Sequence, residues 1–380
     1  MIFRQALSRI ICWLVVIGMG ITGCAALIPT PATPPHGVTR SLAFPGPDGI
    51  LDVCGAIELH SRFSHDGTTP VQIIARIATA TDLDFVIITD HNTLAAKPQE
   101  QSRGRPFVLV GMEISTSAGH LLAFPVTQEI SKDQPVERII DEIHAQGGLA
   151  IVSDPTSPKK PWSRWDLPVD GLAIVDLNNQ LFQSPVAWIL VKALLFPNGT
   201  FWHSSVRRPA NTLDLWDRQL QVKSPLVGIG SHDTHAHIGL TPFMIDSYQS
   251  GFRLMSTHVF VHGFTPEAVY EGIRRGHCYV SFDGVADPRA LPRPFMYAMQ
   301  TAHRWVLPGD RVRWEPGLTA TVQLPRNGTS TMYRDGRVLG EIRGRQAQWV
   351  ITQPGIYRLE VSLRGRPWIF SNPIYVEPAP

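Results

Sequence analysis

The chain has 380 residues, 43% of them hydrophobic, with 34 basic and 32 acidic side chains and a formal net charge of +2. That length and apolar content suffice to bury a large core, point to two domains or one with an appendage, and exclude disorder of the whole chain. So small a net charge lends no support to nucleic-acid binding.

The N-terminus reads as an export signal, with Arg4 and Arg9 ahead of an apolar run from Ile10 to Ile21. The run is short for a membrane span. It closes on Ile21-Thr22-Gly23-Cys24, which resembles the bacterial lipobox, whose cysteine is lipidated before cleavage leaves it as the new N-terminus. The expectation is a signal peptide over residues 1–23. A lipid on Cys24 would then tether the body to the bacterial cell envelope, facing the periplasm or exterior. An uncleaved anchor helix would give the same topology. Loss of residues 1–23 removes two arginines and no acid, leaving 32 basic against 32 acidic residues. Only Cys54 and Cys278 then remain, to pair or to lie buried, so no disulfide framework holds this fold. Leu27–His36 (LIPTPATPPH) reads as an extended spacer within a linker over residues 24–50.

Strand-like runs follow at Val53–Leu59, Asp84–Thr89, Phe107–Ile114, Leu149–Ser153, Gly171–Leu177, Leu226–Ser231 and Ser256–His262. Helical patterns fall at Pro70–Ala80, Pro135–Gln146, Pro185–Leu195 and Pro266–Arg275, with proline at each start. This alternation is that of βα units around a parallel sheet or barrel. After about Arg289 the texture changes to short alternating segments, among them Thr319–Gln323, Gln346–Ile351 and Tyr357–Ser362, separated by Gly, Pro and Asn-Gly turns. That pattern predicts a small β-sandwich.

Four of the strand-like runs end in acids or histidines and a fifth, Leu226–Ser231, runs straight into them, the place where barrel enzymes keep their chemistry. Glu58 and His60 stand at i, i+2, so on a regular strand both reach one face. Asp66 sits in the turn Ser64-His65-Asp66-Gly67, where either it or His65 can serve the same site. Asp90 and His91 follow a buried strand, where a polar pair needs partners or a ligand. Glu113 ends another run, and a carboxylate there can give one oxygen to each of two cations. His120, Asp154 and the cluster His232, Asp233, His235 and His237 complete the set, Asp233 and His235 repeating the i, i+2 spacing. His232 and His237 flank that pair and are read equally as general acids or as structural imidazoles. Lys159, Lys160, Trp162, Arg164 and Trp165 follow Asp154 and read first as a solvated loop. His36, His144, His203, His258, His262, His277 and His303 read as structural.

The order of these elements, from Glu58-Leu59-His60 through Ser64-His65-Asp66-Gly67, Thr89-Asp90-His91-Asn92, Gly111-Met112-Glu113 and His120 to Gly230-Ser231-His232-Asp233-Thr234-His235, resembles the PHP (polymerase and histidinol phosphatase) domain over about Gly55 to Phe282. The resemblance implies an α/β fold, a distorted (β/α)7 TIM-like barrel over residues 51–288, ahead of a small Ig-like β-sandwich over 289–380. It implies two or three divalent metal ions (Mn, Zn or Fe) and hydrolysis of a small-molecule phosphoester, or of a carboxyl or carbamate ester. His60, Asp66, His91, Glu113, His120, Asp233 and His235 match the family's ligand positions, and Asp90 stands as a partner beside His91. Glu58 and Asp154 replace histidines that the family usually has there. As metal ligands they exchange neutral nitrogen for anionic oxygen, which favours harder ions such as Mn²⁺ or Mg²⁺ over zinc. The quoted histidine segments, with Pro367–Tyr375, look most like the carbaryl-hydrolase-like (CehA/McbA) branch. The alternative is a catalytically degenerate ligand-binding lipoprotein. A nuclease or polymerase-associated domain conflicts with the export signal and the balanced charge.

Overall fold

The computed structural model describes residues 49–182, 206–236, 239–240, 243–244, 247–290 and 294–379. The expected export signal, Cys24, the Pro-rich spacer, the helix expected over Pro185–Leu195, and His237 lie outside them. Among the described residues no helix is long and apolar enough to cross a membrane.

The architecture is mixed α/β, with two main sheets and few helices. β1 (Ile50–Leu59), β2 (Phe85–Ile88) and β3 (Phe107–Val110) pair in parallel, with α1 (Val71–Ala80) between β1 and β2. α1 follows Pro70 and buries Val71, Ile74 and Ala78, one face of a 3.6-residue period. A second sheet holds β4 (Met112–Thr116), β5 (Gly119–Phe124), β6 (Leu149–Ser153), β7 (Gly171–Asp176) and β8 (Val227–Ser231) in that order. Its pairing is antiparallel from β4 to β6 and parallel from β6 to β8, so the sheet is not wholly parallel. α2 (Val136–Ala145) precedes β6, and α3 (Leu177–Phe182) and α4 (Ala210–Val222) follow β7.

The run expected as one strand over Phe107–Ile114 is broken at Gly111, between β3 and β4. Its amide donates to the Ile88 carbonyl at 2.8 Å. A Cβ at Gly111 would strike the Ala123 carbonyl, so glycine lets the chain pass from one sheet to the other. The two sheets also meet along two seams. At one, Glu113 N–H donates to Asp90 (3.2 Å) and Asn92 N–H to Glu113 (2.7 Å). At the other, His232 N–H donates to Ile57 (2.9 Å) and His60 N–H to Thr234 (3.2 Å). These seams gather the ends of β1, β2 and β8 around the start of β4.

Beyond the short ladder of β9 (Gly239–Leu240) and β10 (Phe243–Met244) come α5 (Tyr248–Leu254), β11 (Ser256–His262), α6 (Pro266–Arg275) and β12 (Cys278–Ser281). β11 runs antiparallel to β1, and β12 to β11. α6 is sealed at both ends, by the Thr265 hydroxyl accepting from Ala268 N–H and by left-handed Gly276.

The remaining strands are β13 (Met296–Gln300), β14 (Trp305–Val306), β15 (Arg311–Arg313), β16 (Thr319–Arg334), β17 (Arg337–Val350), β18 (Gly355–Leu363), β19 (Arg366–Ser371) and β20 (Ile374–Glu377). The short segments expected here are longer strands. Asn327-Gly328, expected as a turn, lies inside β16 at a register break, and the hairpin instead turns at Asp335-Gly336, both with positive φ. β19 pairs with β12, Val280 opposite Phe370, so one 13-stranded sheet runs across residue 288. Asn372, buried beside this joint, exchanges two 2.8 Å hydrogen bonds with the backbone of Gly228 and donates a third to the Cys278 carbonyl at 3.0 Å. Cys54 and Cys278 are both buried, and no disulfide joins them.

Two buried charge networks complete the joint. Arg358 on β18 grips Asp217 on α4 and Glu360 on its own strand at 2.5–2.6 Å. His258 on β11 lies between Asp52 (2.8 Å) and Asp283 (3.4 Å), and Tyr279 donates to the other Asp52 oxygen at 2.6 Å. Burial works against the imidazolium, but the two carboxylates hold His258 up at about 9. Its folded value lies above the unfolded value of about 6.5. This stabilisation is therefore complete below about pH 6.5 and lost as pH rises through about 9. Thermal unfolding from pH 6 to 10 should show the melting temperature falling at the alkaline end, with this component of the slope abolished by His258→Gln. An unchanged slope in the variant would refute the assignment.

Candidate metal centre

Glu58 and His60 do not follow simple strand alternation. The β1–β2 register shifts between Ile57 and Leu59, and Glu58 takes φ 67°. This bulge, not the i, i+2 spacing alone, turns both side chains inward. Asp66 is held by the Ser64 hydroxyl at 2.6 Å, and the turn that carries it crosses so closely that a Cβ at Gly67 would strike the Ser61 carbonyl. His91 follows β2, Glu113 lies on β4, His120 on β5, and Asp233 and His235 follow β8.

These side chains converge in three overlapping groups of possible metal donors, each within 4.8 Å: His60, Asp66, His91 and His235; His91, Glu113 and His120; and Glu58, His60 and Glu113. Glu113 is the hinge of the arrangement. One of its oxygens lies 2.8 Å from His120 Nδ1, and the other lies 3.3 Å from His60 Nε2 and 3.4 Å from His91 Nδ1. Asp66 Oδ2 stands 3.2 Å from Nε2 of both His91 and His235. The rings of His60 and His235 stack at 4.2 Å. Asp233 Oδ1 is 3.4 Å from His60 Nε2, while its Oδ2 accepts from Asn178 at 2.7 Å.

Several of these atoms are close without being aligned for hydrogen bonding. Glu58 Oε2, both His60 nitrogens, His91 Nδ1, Glu113 Oε2 and His120 Nδ1 are buried with no hydrogen-bond partner. Buried polar atoms are normally satisfied, so a cluster of orphans with lone pairs marks a place built for cations. Backbone strain falls in the same region. Glu58, Asn92, Asp154, Asp233 and Ala236 all have positive φ, a conformation that non-glycine residues adopt at some cost and that gathers at functional sites.

The charges are crowded. Burial, and then the carboxylates of Glu113, Asp233 and Asp176, push Glu58 well above the usual range. Burial also raises Asp66, but the Ser64 hydroxyl and the imidazoles of His235, His91 and His60 bring it down to about 2. Burial lowers His60, yet Asp233 and Glu113 hold it up at about 9. Glu113 beside it raises His120, whereas burial lowers His91.

The structure revises several expectations. Asp90 does not partner His91; its carboxylate accepts from the Ser61 amide (2.5 Å) and hydroxyl (2.7 Å), fixing the loop between His60 and Asp66. His232 is a structural imidazole rather than a general acid. It is 1% exposed, bonded through Nε2 to the Met255 carbonyl, packed edge-on to Phe252, and depressed by burial to about 4. His65 is 74% exposed at the rim, so Asp66 is the inward member of that pair. Asp154 lies outside the three donor groups and is raised by burial. Trp162 is buried rather than solvated, while Lys160 bonds the Thr116 carbonyl at 2.5 Å. His144, His258 and His277 pair with structural carboxylates, as expected for residues outside the site.

Sequence reasoning missed Asp176, the last residue of β7. Its Oδ2 is a buried orphan, and burial followed by Asp233 and Asp154 pushes its carboxyl up. The signal was present, because this strand too ends in an acid.

No family model matches the chain. An uncharacterized protein of Methanocaldococcus jannaschii is 34% identical over 107 residues, which make up 27% of this chain; the chain spans 63% of that relative's length. Among solved structures, a two-domain protein of Bacteroides vulgatus containing a predicted PHP-like metal-dependent phosphoesterase aligns with 89% of this chain and 99% of its own, at 13% identity and TM-score 0.46. A protein of Bifidobacterium adolescentis, provisionally named a metal-dependent phosphoesterase, aligns with 51% of this chain and 93% of its own, at 16% identity and TM-score 0.31.

A raised carboxyl binds its proton more tightly folded than unfolded, so stability of the metal-free protein falls as pH rises from about 4.5 through the folded value of Glu58. Glu58→Gln copies the protonated form and should flatten this fall while reducing the rise in melting temperature on adding Mn²⁺. A wild-type slope and an undiminished metal response in the variant would remove Glu58 from the centre.

Proposed function

We propose that this chain is a metal-dependent hydrolase of the PHP superfamily, in its carbaryl-hydrolase-like branch, acting on phosphoesters or on carboxyl or carbamate esters. The observation that carries the reading is Glu113, whose two oxygens face different imidazoles in two overlapping donor groups, the disposition of a carboxylate shared by two cations. The donors fit such ions. Imidazole nitrogens and carboxylate oxygens in one cluster suit Mn²⁺, Zn²⁺ or Fe²⁺, and the buried orphan atoms supply the lone pairs.

Glu58, His60, Asp66, His91, Glu113, His120 and His235 would hold two or three such ions, with Asp233 beside His60 at the margin. Bound divalent ions would supply Lewis-acid charge that polarises a substrate oxygen and makes a water more acidic. The chain's own groups do the rest. Asp233 stays ionised despite burial because His60 and His235 face it, and the Asn178 amide fixes its direction. Lys160, whose ammonium donates to the Thr116 carbonyl on the strand pair that carries Glu113 and His120, would offer its charge to an anionic substrate oxygen. His65, 3.8 Å from Asp66 and open to solvent, would pass protons between the site and bulk through an intervening water. We further propose that Cys24 carries a lipid and holds the enzyme to the cell envelope.

Purified protein should turn over generic phosphoester or aryl-ester substrates with added Mn²⁺ or Zn²⁺ and stop when a chelator is added. Glu113→Ala and Asp233→Ala should each lower kcat/KM by a hundredfold or more while far-ultraviolet circular dichroism stays native, since ligand loss removes transition-state charge stabilisation. Full activity in either variant would sink the proposal. Cell fractionation tests the anchor: Cys24→Ser should release the protein from membranes or stall its processing, and unchanged retention would favour an uncleaved helix.

A further inference from the structure

We infer that the C-terminal strands set the geometry of the metal centre through three consecutive amides at α3, Asn178, Asn179 and Gln180; this rests on the metal-centre reading above. The Asn178 side chain donates to Asp233 Oδ2 at 2.7 Å. The Asn179 N–H donates to Asp176 Oδ1 at 2.8 Å. Two carboxylates from two strand ends are thus held by two adjacent residues. Gln180, buried, accepts the Arg207 N–H at 3.1 Å. The next side chain, Arg208, is clamped by both oxygens of Glu360 on β18, at 2.7 and 2.8 Å. Glu360 is itself fixed by Arg358, which reaches α4 through Asp217 and lies 4.1 Å over the Tyr333 ring.

The residue types explain the arrangement. An amide orients a carboxylate by donating a hydrogen bond and adds no charge, whereas a lysine or arginine there would neutralise the anions that a cation needs. The charged link is placed away from these carboxylates, at Arg208 and Glu360. Arg208 and Glu360 are therefore positioning residues, and the C-terminal strands are a structural arm of the site.

The test is calorimetric titration of Mn²⁺ into metal-free protein. Asn178→Ala should weaken binding roughly tenfold or more, as loss of a ligand's hydrogen-bond partner does. Arg208→Ala should weaken it about three- to tenfold from outside the site. The double variant should match Asn178→Ala alone, because both changes cut one route. Arg208→Lys should recover part of the loss, and Arg334→Ala, half-buried at the end of β16 and bonded to Gln353, should bind as wild type. If Arg208→Ala does not fold, Glu360→Gln carries the same test. Wild-type affinity in folded Arg208→Ala or Glu360→Gln, or losses that multiply independently in the double variant, would overturn the inference. A wild type that takes up no Mn²⁺ overturns the metal-centre reading, and this inference with it.

Discussion

The dominant constraint on this molecule is the concentration of ionisable groups in a small, water-poor space. Glu58, Glu113, His60 and His235 are buried, with Asp66, His91, Asp176 and Asp233 pressed against them. Taking ions out of water costs several kcal/mol each unless opposite charge or hydrogen bonds compensate. Imidazoles offset part of the repulsion among the carboxylates, while burial first, and then neighbouring carboxylates, raise Glu58 and Asp176. What remains is a strong preference for cations, and the rest of the architecture serves to keep the anions from moving apart.

That service is visible in the backbone. Strand ends that would diverge in a regular sheet are tied by the seams between β2 and β4 and between β8 and β1. The positive φ of Glu58, Asp154 and Asp233 then directs the side chains inward. Strain of this kind, on the order of 1–3 kcal/mol per residue, persists only where surrounding structure over-determines it. Here the apolar cores beneath the strands do so: Ile57, Leu59, Ile88, Val110, Met112 and Ile229 are all almost fully buried.

Much of this was legible in the sequence, and the misses have physical causes. Strand and helix periods in the first half follow burial directly, so most of the expected runs appear within a few residues. α4 escaped notice because Asp217 sits in its buried stripe of Leu213, Trp216 and Leu220, so the apolar pattern is interrupted by a charge whose partner, Arg358, lies 141 residues away. β5 escaped because Gly119 and His120 open it with residues that read as loop and ligand. Acids and histidines at strand ends drew the eye to the donor groups, but the same pattern also took in Asp90 and His232, which bond Ser61 and the Met255 carbonyl instead. The supporting groups were not legible: Asn178, Ser61 and Arg208 are ordinary polar residues until the fold shows what they touch.

The joining of β12 to β19 also sets the order in which the molecule can be completed. β1 pairs with β11, Ile50 opposite His262, and the edge of β12 stays open until residues 366–371 exist to cover it. Pairings so distant along the chain form slowly, and an uncovered strand edge is a template for wrong partners. A nascent chain of this design keeps that edge open until residues 366–371 have been made, and it is exposed to aggregation while it waits.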